Sequence, residues 1–366
     1  MTGYDKMGNI LGLKRYGQTS ATGYDVIDDL SLSYAGNRLK KVADRSGTST
    51  FNNGFEFKDG IDLSTEYEYD ENGNLTKDLN KNITAIQYNC LNLPSRVMFA
   101  NGNSISYLYD AAGRKLRTVH FLEGDSVTTD YCGNVVYENG VPQILLTEAG
   151  YVSLTDGKYH YYLKDHQGNN RVVVAEEGTI EEVNHYYPFG GVFSSTGDAQ
   201  PYKYNGKELD RKGGLDWYDY GARMYDAVLG RWHAVDPMSE KYYGVSPYLY
   251  CANNPILLVD PNGMWPTWRG IRNGLNNALN TTLSFTNGAV RAVTDNILLG
   301  STSLRETGIY SSAGAYNVGQ DVGDVISLFI GGAEVIRGSG EVAAGLLGSP
   351  ETVSYTHLRA HETLSD

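Results

Sequence analysis

The sequence predicts an all-β fold through about residue 263, a long sheet of β-hairpins followed by a small, partly helical segment. The first observation is composition: 29 tyrosines and 43 glycines but only 10 prolines are typical of short strands joined by tight turns. The second is a degenerate repeat with a period of about 20 residues, which indicates stacked supersecondary units. The third is alternation of aromatic or aliphatic with polar residues, as in Thr65–Tyr69 and Ser104–Tyr109, which indicates strands with one apolar face.

The repeat unit is an aromatic residue, often followed by Asp, then a turn with Gly and Asn or Arg, then Leu. Its clearest copies are Tyr69–Leu75 and Tyr109–Leu116, and copies beginning at Tyr69, Tyr88 and Tyr109 are 19 and 21 residues apart. Because Asp accepts backbone hydrogen bonds within a turn and Gly adopts positive φ, each unit is expected to form one hairpin. A single hairpin buries too little surface to be stable, so neighbouring hairpins are expected to pair edge to edge in one long sheet.

Composition also limits the classes of function. A formal net charge of −13 and a pI near 5.0 argue against nucleic acid as the main partner, because phosphate binding needs clustered Lys and Arg. Cys90, Cys132 and Cys251 are far apart and form no CxxC, so neither a zinc site nor a disulfide framework is expected. We therefore predict no metal and no cofactor. The best apolar run, Val325–Ala333, is too short to span a membrane.

Residues 186–264 contain Tyr, Trp, Gly-Arg-Trp, Asp-Pro and Asn-Asn-Pro in a fixed order. The positions that define this order are Pro188, Gly190, Gly206, Gly230, Trp232, Pro237, Asn254, Pro255, Pro261 and Gly263. The segment resembles the RHS repeat-associated core domain, and the repeats before it resemble the YD repeats of RHS proteins. The resemblance implies a sheet that spirals into a shell, of which this chain forms the last part, capped by the core. It also implies a cargo within the shell, a downstream toxin used in interbacterial competition or at the cell surface.

The resemblance divides the chain into YD repeats (1–185), the RHS core (186–264) and a variable region (265–352) with the pre-toxin or the start of an effector. Residues 353–366 resemble translated sequencing-adapter DNA and are set aside as an artefact. Because the chain begins inside a repeat, we expect it to be part of a longer protein. The implied partners are its own C-terminal toxin segment and, in the full-length context, an immunity protein and a secretion apparatus. The implied location is outside the cell or on its surface.

The candidate chemistry rests on Asp236 and Asp260, each followed by Pro. Two carboxylates brought close share one proton, so one can act as base and the other as acid. Toxin-complex C subunits, which RHS cores resemble, cut themselves in this way, and the resemblance places the cut at Met264–Trp265, after the Asp-Pro-Asn-Gly-Met motif. Arg231 is expected to lower one carboxylate's pKa or to hold the scissile carbonyl. Such an enzyme would act once, in cis; the alternative is that both aspartates only form turns.

Two other functions remain open. One is a cell-surface or carbohydrate-binding YD-repeat scaffold that does not cleave, which aromatic sheet faces open to solvent would favour. The other is an effector enzyme in residues 265–350, which ranks last because that region has few His and no nucleophile–base pair. His233, between Trp232 and Asp236, is expected to pack in the core.

Overall fold

The computed structural model describes residues 3–46 and 55–264, and within them regular structure is almost all β-strand. The predicted all-β fold is confirmed. The helical segment predicted after the core, the variable region and Trp265 lie outside the described residues. The described residues other than 176–179 form one compact unit.

Three antiparallel sheets make up this unit, with four, fourteen and four strands. The first contains β1 (Gly3–Tyr4), β2 (Ile10–Gln18), β3 (Tyr24–Ala35) and β4 (Arg38–Asp44). The second contains β5 (Tyr67–Tyr69), β6 (Leu75–Asp78), β7 (Ile83–Tyr88), β8 (Pro94–Phe99), β9 (Ser104–Tyr109), β10 (Lys115–Leu122), β11 (Asp125–Cys132), β12 (Val135–Glu138), β13 (Val141–Leu146), β14 (Gly150–Ser153), β15 (Tyr159–Lys164), β16 (Asn170–Ala175), β17 (Ile180–Tyr186) and β18 (Val192–Thr196). The third contains β19 (Glu208–Asp210), β20 (Trp217–Asp219), β21 (Met224–Asp226) and β22 (Arg231–Trp232), and 3-10 turns lie at Tyr204–Gly206, Lys212–Gly214, Ser239–Lys241 and Cys251–Asn253. In every sheet each strand pairs with its neighbour in sequence, as edge-to-edge hairpins require.

The repeat motif forms a five-residue turn. The Asp70 N–H donates to the Asn74 carbonyl (2.9 Å), and the Gly73 N–H donates to the Asp70 carbonyl (3.1 Å). The Asn74 N–H donates to Asp70 Oδ1 (2.7 Å), and Gly73 has φ +83°, where Gly alone is unstrained. The same bonds recur in three other turns that begin with Asp, Asp5–Asn9, Asp110–Arg114 and Asp165–Asn169, and in Asn89–Leu93, where Asn takes the place of Asp. The Asp-x-x-Gly-Asn/Arg pattern therefore forms a turn at each of these positions that begins with Asp, as the sequence predicted.

The start of the core uses the same backbone turn without the Asp side chain. The Gly190 N–H donates to the Tyr187 carbonyl (2.8 Å), and the Gly206 N–H donates to the Lys203 carbonyl (3.2 Å). Both glycines have positive φ, +88° and +66°. The domain boundary drawn before residue 186 thus coincides with the end of β17, whose sheet continues into β18. The boundary stays a prediction.

The later part of the core lies across the turns of the repeats. The Asn253 side-chain amide donates to the Gly8 carbonyl (2.8 Å), in the turn between β1 and β2. The Tyr248 hydroxyl donates to the Gly73 carbonyl (2.7 Å), in the turn between β5 and β6. One short segment of the core therefore ties together hairpins of two different sheets.

A single hydrophobic cluster joins the three sheets. Its largest fully buried side chains come from the core, namely Trp217, Trp232, Tyr204, Tyr218, Tyr220, Tyr225 and Tyr250. His233 is buried, and its ring centroid lies 4.1 Å from that of Trp217, as its predicted packing role requires. The third sheet therefore lies within this hydrophobic cluster, and polar side chains attached to it are held in fixed surroundings that contain little water.

Candidate functional site

Arg223 connects the two aspartates that the sequence singled out. It immediately precedes β21, and its side chain is buried. Its Nη2 atom lies 2.7 Å from Asp236 Oδ2 and 3.5 Å from Asp260 Oδ2, and both carboxylates are buried. The structure thus brings Asp236 and Asp260 to one guanidinium group, although they are far apart in sequence.

The rest of the Arg223 side chain is also fixed. Its Nε atom donates to the Gly263 carbonyl (2.5 Å) and its Nη1 atom donates to the Pro247 carbonyl (3.1 Å). Its guanidinium carbon lies 4.2 Å from the centroid of the Trp232 ring, a cation–π contact. Burial lowers the pKa of Arg223 to about 10, against the opposing effect of the two carboxylates, so the group is a cation at neutral pH.

Asp260 organises the Asp-Pro-Asn-Gly-Met turn. Its Oδ1 atom accepts the backbone N–H groups of Asn262 (3.2 Å), Gly263 (2.7 Å) and Met264 (3.2 Å). Gly263 has φ +77°, and a Cβ atom there would lie 3.1 Å from the backbone nitrogen of Arg223. Lys207 Nζ donates to the Pro261 carbonyl (2.7 Å). The peptide that joins Gly263 to Met264 is therefore held by Arg223 on its carbonyl and by Asp260 on its N–H.

Asp236 has a different environment. Its Oδ1 atom accepts the Met238 N–H (2.7 Å), and its own N–H donates to the Pro247 carbonyl (3.1 Å). Burial raises the pKa of Asp236, and Arg223 opposes that shift. A carboxyl group with a raised pKa is suited to hold and donate a proton.

The structure places Arg231 in a different role from the one predicted. Its Nη1 atom donates to Asn9 Oδ1 (3.1 Å), its Nη2 atom donates to the Asn37 carbonyl (2.7 Å), and its guanidinium lies over the Tyr34 ring (4.7 Å). These contacts tie the core to the turns of the first sheet, while Arg223 contacts both carboxylates. The sequence reasoning missed Arg223 because its contacts come from the β20–β21 hairpin, which brings a distant part of the chain to Asp236.

Other core-motif residues shape the surroundings. Trp232 supplies the ring beneath Arg223. Gly230 has φ +67°, and a Cβ atom there would lie 2.8 Å from the Phe189 ring. The Asn254 carbonyl accepts the N–H of Leu258 (3.0 Å), and the Pro255 carbonyl accepts the Gln167 side chain. The Pro188 carbonyl accepts the Tyr204 hydroxyl (2.9 Å).

No family model matches the chain, but several known proteins are similar to it. It is 28% identical over 219 residues to the toxin subunit YenC1 of Yersinia entomophaga, which covers 57% of this chain and 20% of that protein. It is 38% identical over 96 residues to YenC2 of the same organism, which covers 25% of this chain and 10% of that protein. The chain is an RHS-type protein similar to toxin-complex C subunits.

One further relative and one solved structure are also similar to this chain. This RHS-type chain is 30% identical over 223 residues to Salivary gland surface protein 1 of Aedes aegypti, which covers 53% of this chain and 6% of that protein. A solved structure of a TcdB2-TccC3-Cdc42 complex is similar with a TM-score of 0.48 at 19% identity, over 75% of this chain and 16% of that one. The chain spans a fifth or less of the length of these relatives.

The described residues show neither of two further kinds of site. Residues 3–46 and 55–264 contain no group of three or more His, Cys, Asp or Glu side chains that could hold a metal ion. No helix in that part of the chain is long and apolar enough to cross a membrane.

Proposed function

We propose that this chain is the C-terminal part of an RHS-type shell that encloses and delivers a downstream toxin segment, and that it cuts itself between Met264 and Trp265. The shell role is supported by the stacked hairpins and by the relatives that are named toxin subunits. The cleavage role is carried by one observation: Arg223 contacts Asp236, Asp260 and the Gly263 carbonyl together.

The proposed reaction is hydrolysis with the two carboxyl groups in different protonation states. Asp260, ionised, accepts a proton from water, and the water oxygen forms a bond to the Met264 carbonyl carbon. Asp236, protonated, donates its proton to the carbonyl oxygen. When the tetrahedral intermediate collapses, the bond to the Trp265 nitrogen breaks, that nitrogen takes the proton held by Asp260, and Asp236 takes back a proton from a hydroxyl group of the intermediate. The products are a carboxyl group on Met264 and a free amine on Trp265.

The geometry favours this assignment in two ways. Burial raises the pKa of Asp236, which favours its protonated form relative to an exposed carboxyl group. The contacts of Asp260 and Arg223 fix the peptide immediately before the Met264 carbonyl, which restricts the orientation of the bond to be cut. The reaction occurs once per chain, because the bond that breaks belongs to the enzyme itself.

The intact mass of the purified chain tests the cleavage. We expect the wild type to give a fragment that ends at Met264, and Asp260→Asn and Asp236→Asn to remain whole. The matched control is Asp28→Asn, which weakens a buried ion pair elsewhere, since Asp28 Oδ2 lies 2.7 Å from Arg15 Nε. This control should still be cut. A folded wild type that stays whole, or a cut Asp260→Asn, would contradict the proposal.

Under this proposal the main partner is the chain's own segment after Met264. An immunity protein and a secretion apparatus act on the full-length protein, and the site of action is outside the producing cell or on its surface. Limited proteolysis of the full-length protein, which carries the rest of the shell, checks enclosure: the segment after residue 264 should be protected while the repeats are intact. Rapid digestion of that segment in folded protein would exclude a shell around it.

A second candidate is a surface scaffold that does not cleave. It is favoured by the 30% identity to a protein named as a salivary gland surface protein. Its discriminating result is a whole, folded wild type in the mass experiment. The third function, an effector enzyme in residues 265–350, lies outside the described residues and stays a prediction.

A further inference from the structure

A cavity of about 360 Å³ lies between the second and third sheets, away from Arg223. The residues at its wall include the buried groups Tyr67, Asp78, Asn80 and Asp226 and the more exposed Lys58 and Arg211. Its volume is within the range of small-molecule sites. Neither the shell role nor the proposed cleavage uses this cavity.

Several buried polar atoms at and beside the cavity lack partners. Among the residues that the structure describes, no hydrogen-bond partner is present for Asp226 Oδ2, for Asn80 Oδ1, for Trp217 Nε1 or for either ring nitrogen of His233. Trp217 and His233 are not part of the cavity wall but lie behind it: Trp217 is the register partner of Asp226 on the neighbouring strand, and its ring centroid lies 4.1 Å from that of His233. Because native proteins leave few buried polar atoms unpaired, such a concentration beside a cavity indicates a bound molecule.

The unpaired atoms specify the chemistry of that molecule. At the cavity wall, Asn80 Oδ1 needs a hydrogen-bond donor, and Asp226 Oδ2, which has Lys81 Nζ beside it, can accept a further one. Lys81 Nζ lies 3.5 Å from Asp226 Oδ2 and repels a metal ion or an ammonium group. A hydroxyl group donates and accepts, and it carries no charge to be repelled.

We propose that this cavity binds a small, neutral, polyhydroxylated ligand of monosaccharide size. The proposal does not depend on self-cleavage. It also differs from the expectation of sugar binding on open aromatic sheet faces, because the site is a polar cavity between sheets.

Indole NMR of the full chain tests the proposal. The protein, with its tryptophans labelled with ¹⁵N, is titrated separately with glucose, galactose and N-acetylglucosamine. At least one sugar should shift the Trp217 indole resonance in a saturable way, and Trp217→Phe assigns that resonance. Trp232 is the internal control, since its Nε1 atom is also unpaired but its ring lies against Arg223. Its resonance should not move.

Asp226→Asn tests the named contact, because the side chain keeps Oδ1, which accepts the Val228 N–H (2.8 Å), and loses its charge beside Lys81. We expect at least tenfold weaker sugar binding in this variant. If it does not fold, Lys81→Gln replaces it, with the same expectation. No saturable Trp217 shift with any of the three sugars would overturn the proposal, as would equal shifts of Trp217 and Trp232. A shift with calcium chloride and none with sugar would show a cation site instead and would also overturn it.

Discussion

Two groups of buried acids lie at opposite ends of β21. Before the strand, Arg223 joins Asp236 to Asp260. At its end, Asp226 lies 3.5 Å from Lys81, which also interacts with the buried carboxyl group of Asp78. Each group therefore combines two carboxyl groups with one cation, and the two differ in what surrounds them.

The difference lies in the hydrogen-bond partners. Asp260 Oδ1 accepts three backbone N–H groups, and Arg223 donates to a carbonyl of the same turn. The first group therefore holds the peptide between Gly263 and Met264 in place. Asp226 Oδ2 accepts no backbone N–H group among the described residues, has Lys81 as its neighbour and belongs to a cavity wall. Under the two proposals, similar residue types serve cleavage of the chain in one place and binding of a molecule in the other. Composition alone does not distinguish the two.

Removing the cation from each group should give the largest contrast. Arg223→Met leaves two buried carboxylates without their shared partner, which costs about 3–5 kcal/mol in the free energy of unfolding and abolishes cleavage. Lys81→Met leaves the buried Asp226 carboxylate without its cation, but Asp78 beside it, whose pKa burial raises to about 7, can bind a proton. Lys81, unlike Arg223, holds no backbone carbonyl among the described residues, so we expect a smaller cost of about 1–3 kcal/mol. Urea unfolding at pH 7 measures both. If Lys81→Met lost as much free energy of unfolding as Arg223→Met, or more, the two groups would not differ in how strongly they depend on their cation.

Sequence reasoning succeeded where the signal was local. The Asp70–Asn74 turn is specified by residues within its own five positions, so the repeat predicted the hairpins and their pairing. The two aspartates were singled out because each lies in an Asp-Pro motif. Arg223 was missed because its role arises only when antiparallel strands bring it to Asp236. The cavity was missed for the same reason, since Asn80 and Asp226 come from different sheets.

The pH dependence of stability provides the next contrast, since two buried groups have opposite effects. Burial raises the pKa of Asp78 from 3.8 to about 7, so the folded state holds a proton that the unfolded state releases, and stability falls as pH rises from 4 to 7. Burial lowers the pKa of His233 from 6.5 to about 4, so the unfolded state binds the extra proton, and stability rises from pH 4 to 6.5. The wild type should therefore show a shallow profile.

Single substitutions should reveal each effect. Asp78→Asn should leave stability rising between pH 4 and 6.5, and His233→Phe should leave it falling between pH 4 and 7, each by about 1–3 kcal/mol. Asp236, whose pKa is also raised by burial, contributes equally to both variants and cancels in their difference. Urea unfolding at several pH values measures the two profiles. Profiles with the same slope would rule out opposing effects of Asp78 and His233.

The smallest expected effect concerns how tightly the cleavage turn is held. Gly263→Ala places a Cβ atom 3.1 Å from the backbone nitrogen of Arg223, and Gly263 has φ +77°. Backbone strain and this short contact both oppose the substitution. Gly102→Ala is the matched control, with φ +87° and nothing within 4 Å of the added atom. The control should cost about 1 kcal/mol from backbone strain alone, and Gly263→Ala about 1–2 kcal/mol with slower cleavage. Thermal unfolding and the rate at which the Met264 fragment appears measure these effects. If both variants cut at the wild-type rate, the positioning role of the Gly263 turn is wrong, whereas a slowed Gly263→Ala beside an unaffected Gly102→Ala attributes the loss to displacement of the peptide that Arg223 and Asp260 hold.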